Sequence, residues 1–184
     1  MDAYAAVERA VPVELASESS ATIGPGEAPD PAVPVVSAAA RSVPARLIEY
    51  ASGCRIAVPV HATLEVLEPS PVVEVPGALA GWRGLLRWRG DWLPVVDLAE
   101  RLGLEAAGAA GAHLLVLGWR PIPGEALRHG ALVLRAMPTT SRFRDDDQCP
   151  IPTDHPLWPA IALSCVSHDG QAIPIVDPGR LFGD

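Results

Sequence analysis

The sequence predicts an all-β fold, built as two small antiparallel barrels side by side, each ending in a short helical turn. Three observations predict it. From residue 44 onward, short apolar runs bounded by Gly, Pro and Asp recur at roughly 8–12-residue spacing, the pattern of many short strands. Two hairpins echo each other 80 residues apart: Gly90, Leu93 and Pro94-Val95-Val96-Asp97 match Gly170, Ile173 and Pro174-Ile175-Val176-Asp177, and Leu102-Gly103 matches Phe182-Gly183. Each echo also closes on an aspartate suited to cap a helical turn. Such a repeat is one supersecondary unit used twice, and closing each copy into a barrel removes the strand edges that invite aggregation. A weaker echo upstream sets Gly53-x-x-Ile56 beside Gly130-x-x-Val133, three residues short of the same offset.

The elements follow in order. Residues 1–43 are rich in Ala, Pro, Ser, Val and Glu, with Tyr4 the one aromatic, and Pro12, Pro25, Pro29, Pro31 and Pro34 interrupt any regular structure. Such a stretch cannot bury enough apolar surface to offset the entropy of ordering, so a disordered tail is expected, with 2–15 as a candidate amphipathic helix. The folded domain is expected over 44–184. Ala45–Ala51 and Cys54–Val60 read as strands joined at Ser52-Gly53, and Leu64–Leu67 as a third. Prolines 69, 71 and 76 with Gly77 mark a long turn. Leu85–Trp88 and Trp92–Val96 form a hairpin with Gly90-Asp91 at its tip. Asp97 caps a short helix, with Glu100 at the reciprocal capping position and Gly103 as its stop. After an Ala/Gly linker at 105–112, Leu114–Trp119 and Ala131–Met137 read as strands. Residues 138–160 are an irregular proline-rich loop, Ile161–Val166 and Ala172–Val176 the last hairpin, and Gly179–Phe182 a final helical turn.

Composition narrows the function. The chain has 184 residues, 49% hydrophobic and 20% charged, enough for a core. Its net charge is −8, and all 14 basic residues are arginine. An acidic chain lacks the basic face that nucleic-acid phosphates or anionic membrane surfaces attract. No apolar run approaches the roughly 20 residues of a transmembrane helix, and Met1-Asp2-Ala3-Tyr4 lacks the basic start of a signal peptide, so a cytoplasmic protein is expected. Cys54, Cys149 and Cys165 are an odd count without framework spacing, which reads as reduced thiols.

No motif for catalysis stands out. Asp97 and Asp177 invite an acid–base reading, but capping explains both. Gly84, Gly90 and Gly103 suit backbone roles, since no phosphate-binding glycine motif accompanies them. Cys165-x-x-His168-Asp169 imitates a nucleophile, base and orienter, yet neighbours along one strand do not converge on a point. Cys149, His155, Cys165 and His168 lack paired metal-ligand spacing, and Asp145-Asp146-Asp147 reads as a solvated loop. No metal and no cofactor is expected.

Gly84-Leu85-Leu86-Arg87-Trp88-Arg89-Gly90-Asp91-Trp92-Leu93-Pro94-Val95-Val96-Asp97-Leu98 resembles the signature of CheW-like domains: a glycine, two aliphatics, a polar and an apolar residue, Arg-Gly, two variable positions, an aliphatic, then Pro-Val-aliphatic-Asp-Leu. Ile56-Ala57-Val58-Pro59-Val60, Leu64-Glu65-Val66-Leu67 and Val75-Pro76-Gly77-Ala78 look like further family segments. The resemblance covers about 46–104 well and 112–183 loosely. It implies two five-stranded SH3-like barrels. It also implies a non-catalytic adaptor in chemosensory signal transduction, which binds the regulatory domain of a CheA-type histidine kinase and the cytoplasmic tip of a chemoreceptor and is recruited to membrane-associated receptor arrays. The chain has no room for a kinase or receiver domain, so a stand-alone coupling protein is implied. Arg87 and Trp88 replace a small polar residue and a leucine common in the family, and His168-Asp169 takes the place of Trp88-Arg89 in the second half. A paralogue serving a type IV pilus-linked array fits as well as a flagellar one.

The resemblance also implies that Glu65 and Arg89 meet as a partly buried ion pair, whose breakage would cost roughly 3–5 kcal/mol. Trp82, Arg83, Arg87, Trp88 and Trp92 form an Arg/Trp cluster, and those residue types dominate binding energy at interfaces. Alternation places Leu86 and Trp88 on one face of the hairpin and Leu85 and Arg87 on the other, with Trp88 expected toward the core. The candidate partner-binding residues are Glu65, Arg83, Gly84, Arg87, Arg89, Gly90 and Trp92. The rival readings are an assembly protein of the same fold without kinase or receptor coupling, and a small cytosolic hydrolase using Cys165 or the aspartates.

Overall fold

The computed structural model describes residues 42–104 and 112–183. Nearly all of the expected tail, the helix considered at 2–15 and most of the Ala/Gly linker lie outside that range. Strand β1 (Val43–Ala51) turns at Gly53 (φ +70°) into β2 (Cys54–Pro59). Pro59 ends β2, where its missing donor breaks no ladder. A 3-10 turn at Val60–Ala62 leads to β3 (Thr63–Leu67). Next come β4 (Val72–Val73), β5 (Trp82–Trp88), β6 (Asp91–Val96), α1 (Leu98–Arg101) and β7 (Leu114–Trp119). The chain continues through β8 (Arg128–Val133), β9 (Thr139–Phe143), α2 (Leu157–Ile161), β10 (Ala162–His168), β11 (Gln171–Val176) and α3 (Pro178–Phe182). No helix among the described residues is long and apolar enough to cross a membrane.

The strands form two sheets with short helices between them: β10-β11-β2-β1-β9 and β3-β7-β8-β6-β5-β4. Each sheet draws on both halves of the repeat. The first half donates its opening hairpin, β1–β2, to the sheet holding β10–β11, and the second half returns β7–β8 to the sheet holding β5–β6. Two parallel contacts join the halves, with Ile175 opposite Ala57 and Val95 opposite Ala131. The pairing is therefore mixed rather than wholly antiparallel, because an exchanged hairpin arrives with a direction that no tight turn sets. The same contacts correct the upstream echo. Ala57 answers Ala131, so Gly130 answers Ile56 rather than Gly53. Gly130 serves packing: the ring of Phe182 occupies the space where its Cβ would stand.

Four further differences have physical causes. The six-stranded sheet exceeds the expected five by β4, which is too short to show any period. Residues 138–160 hold β9 and α2 where a loop is expected. β9 is an edge strand of polar residues that buries only Phe143. α2 tolerates Pro159 because its first turn has no intrahelical acceptor for that nitrogen. β8 begins three residues before the expected Ala131 and ends at Val133, since Trp119 of β7 pairs back to Arg128.

β1, β2, β6, β7 and β8 are buried on both faces, which explains their near-continuous apolar runs. One face of each meets a shared core containing Ile48, Ile56, Val58, Val96, Leu115, Leu117 and Leu132, sealed by Trp158, Leu181 and Phe182. The opposite faces line two smaller clusters. Leu47, Ala57, Phe143 and Ile173 fill the five-stranded sheet, and Leu86, Val95, Leu114 and Ala131 the six-stranded one. Both sheets curl. Beyond β9, Gln148 bridges to Val166 of β10, bringing the two edges of the five-stranded sheet together.

Asp97 and Asp177 cap α1 and α3, accepting from the backbone nitrogens of Glu100 (3.4 Å) and Arg180 (2.9 Å). The expected reciprocal half of the first cap is absent, because the Glu100 carboxylate takes a bond from Arg83 instead.

Candidate functional site

The candidate surface is built on the β5–β6 hairpin. Trp88 pairs with Asp91, leaving Arg89-Gly90 as a two-residue turn with φ +48° and +98°. Positive φ at both positions matches the twist of the flanking strands. Glycine accepts this freely, whereas Arg89 does so against the roughly 1–2 kcal/mol bias of an L-residue. The second hairpin repeats the device at Asp169-Gly170, with φ +52° and +74°.

On one side of the tip, the Arg89 guanidinium lies 4.6 Å above the Trp88 ring and donates to Glu65 Oε2 at 3.0 Å. Trp88 Nε1 donates to the same oxygen, also at 3.0 Å. The Trp88 ring rests 5.1 Å from His129 of β8. Glu65 belongs to β3, at the opposite edge of the sheet from β4, so these contacts are made across the curl of the sheet. Trp88 is thus half-buried at a barrel mouth rather than in the core, its indole nitrogen aimed at a carboxylate.

The Glu65–Arg89 pair forms, but it is wetter than the partly buried pair expected: the Arg89 side chain is 69% exposed and Glu65 39%. An ion pair this wet contributes under about 1 kcal/mol. Arg89→Ala is accordingly expected to shift the melting temperature by no more than a few degrees in a thermal melt, in place of the large loss a buried pair would give.

On the other side, Arg87 and Trp92 face each other across the ladder, the guanidinium 5.8 Å from the ring centroid. Trp92 is 51% exposed. Leu85 and Pro94, the next pair on that face, line an apolar groove of 390 Å³ completed by Val75, Ala78, Leu79 and Trp82. The sequence reading did not identify this groove. Its signal was the Val75–Leu79 stretch, whose apolar residues have no strand period and which leaves Leu79 77% exposed.

Two candidate residues stand elsewhere. Arg83 lies at the far end of β5, 3.1 Å from Glu100 Oε2, and lines a 420 Å³ cavity beside Pro69–Pro71. Gly84 is buried with φ +128°, and the Val73 carbonyl of β4 fills the place of its missing Cβ. The structure therefore brings together Glu65, Arg89 and Gly90 on one side of the tip and Arg87 and Trp92 on the other, whereas Arg83 and Gly84 support the base of the hairpin.

Residues that invited a catalytic reading have structural neighbours. Asp97 is buried and paired with Arg135, and Asp177 caps α3. Cys165 is buried against Cys149, while His168 lies 3.5 Å from Asp169 on the second hairpin turn. Among the described residues, no group of three or more His, Cys, Asp or Glu side chains is placed to hold a metal ion.

Residues 49–136 match the CheW-like domain family. The fold is similar to the crystal structure of the scaffolding protein TtCheW from Thermoanaerobacter tengcongensis, with a TM-score of 0.63 and 17% sequence identity over 78% of this chain and 94% of that one. At that identity the likeness speaks for the fold alone. No curated protein matches the chain.

Proposed function

We propose that this chain, which carries a CheW-like domain over residues 49–136, is a non-catalytic adaptor that couples chemoreceptors to a CheA-type histidine kinase, working in the cytoplasm at membrane-associated arrays. The observation that carries the reading is the β5–β6 hairpin. A two-sheet scaffold presents exposed Arg89 over half-buried Trp88 on one side of one tip and exposed Arg87 and Trp92 on the other, with an apolar groove continuing from the latter. Such clusters suit adhesion. The cysteine and the aspartates that a hydrolase would need are occupied in packing and capping.

The two sides favour different partners. The Leu85, Pro94 and Trp92 side, with its apolar groove, suits hydrophobic docking of the kinase regulatory domain. The Glu65–Arg89 side, wet and charged, suits the polar surface of a receptor's helical tip. Titration calorimetry of the full chain tests the assignment. Trp92→Ala is expected to weaken kinase-domain binding about 30-fold or more, the effect of a hot-spot aromatic worth about 2 kcal/mol. Arg89→Ala is expected to weaken receptor-fragment binding about tenfold with the melting temperature nearly unchanged. Unchanged affinity for both partners in both variants would place the docking surface away from this hairpin.

A further inference from the structure

Cys149 and Cys165 sit on the seam where the five-stranded sheet meets itself. The Gln148–Val166 bridge sets the two cysteines directly opposite each other, and the Cys149 backbone nitrogen donates to the Cys165 carbonyl at 2.9 Å. Their Sγ atoms are 3.1 Å apart, both as free thiols. A disulfide needs about 2.0 Å between sulfurs, so the pair must close by only about 1 Å, between strands already hydrogen-bonded in register. The seam holds the 16-residue separation that contains α2, whose Trp158 and Ile161 pack into the shared core.

We propose that Cys149 and Cys165 are a redox site, at which a hydroperoxide converts the two thiols into a disulfide that staples the seam of this barrel. Cys149 is half-exposed and Cys165 buried, so the peroxide meets Cys149 first. Burial pushes the Cys165 thiol up to about 12, which keeps it protonated during that step. The Cys149 sulfur attacks the peroxide O–O bond. It gains a hydroxyl as sulfenic acid, and the other oxygen takes the Cys149 thiol proton and leaves as water or alcohol. The Cys165 sulfur then attacks the sulfenic sulfur, and the departing hydroxyl takes the Cys165 proton and leaves as water. The thiols lose two electrons, which reduce the peroxide.

The test uses the full chain treated with hydrogen peroxide, then alkylated, digested without reductant and mapped by mass spectrometry. The expected product is a Cys149–Cys165 linked peptide pair lighter by two hydrogen atoms, formed equally in Cys54→Ser and absent in Cys149→Ser. The oxidised chain should melt about 5–10 °C higher, as expected for a closed loop of this length, and dithiothreitol should reverse the shift. Cys165 found fully alkylated, or Cys149 passing to sulfinic acid with no linked peptide, would overturn the proposal.

Discussion

Replacing Arg135 with methionine is expected to destabilise the chain by about 3–5 kcal/mol, because it leaves a buried carboxylate without its counter-charge. Arg135 Nη2 stands 2.7 Å from Asp97 Oδ2, with side-chain exposures of 10% and 1%. The same side chain donates through Nε to the Tyr50 carbonyl at 3.1 Å, and the Arg135 backbone nitrogen donates to the Glu49 carbonyl at 3.1 Å. Arg135 therefore bolts the end of β1, in one sheet, to the junction of β6 and α1 in the other. Its loss also removes support from the Asp97 cap, worth about 1 kcal/mol by itself. In a domain of this size the melting temperature should fall on the order of 10 °C or more. Chemical denaturation checks the figure, and adding Asp97→Asn should recover part of the loss, since a neutral amide is easier to leave buried. A change below about 1 kcal/mol for Arg135→Met alone would mean that water reaches the pair.

The second large effect is expected from Gly84→Ala. The residue has φ +128°, a region essentially confined to glycine, and the Val73 carbonyl already fills the position of an added methyl. Backbone strain and overpacking are each of order 1–3 kcal/mol. The cheapest relief is release of β4, whose ladder among the described residues is Val72 and Val73 against Leu86 and Leu85. The variant should therefore show faster amide exchange at Val73 and earlier proteolytic nicking within 69–80, even where the global melt moves modestly. Wild-type protection at Val73 in the variant would show that β4 tolerates the shift. The outcome also bears on binding. β4 leads into Val75–Leu79, so any partner defect in Gly84→Ala is expected to come through the displaced groove rather than a lost contact at Gly84.

Much of the fold was legible because four strands carry strong local signals. The β5–β6 and β10–β11 hairpins announce themselves through alternation, a two-residue turn and a capping aspartate at one fixed offset. The exchange of hairpins between halves was not legible. A repeat tells which segments are alike, and either β2 or β8 could satisfy β6, so partner choice is settled only by packing of the shared core. β4 and β9 were missed for related reasons: one is two residues long, and the other is a polar edge that needs no apolar face. At the site, the contact between Glu65 and Arg89 came from family resemblance, since nothing in their spacing implies it. Its exposure depends on the curl of the sheet, which no local pattern records. Arg135 hid inside an expected strand, because a charge after four apolar residues reads as the solvent face until Asp97 is seen to be buried beside it.

The most direct measurement is whether the intact chain bridges two proteins at once. Purified chain, a kinase regulatory domain and a receptor cytoplasmic fragment would be mixed and resolved by size-exclusion chromatography with light scattering. A ternary species that forms only when all three are present, and is lost in the Arg89→Ala, Trp92→Ala double variant, is the expected result. If the kinase domain and the receptor fragment compete for the chain, or neither binds it at micromolar concentration, the hairpin does not join two partners and the adaptor reading is wrong.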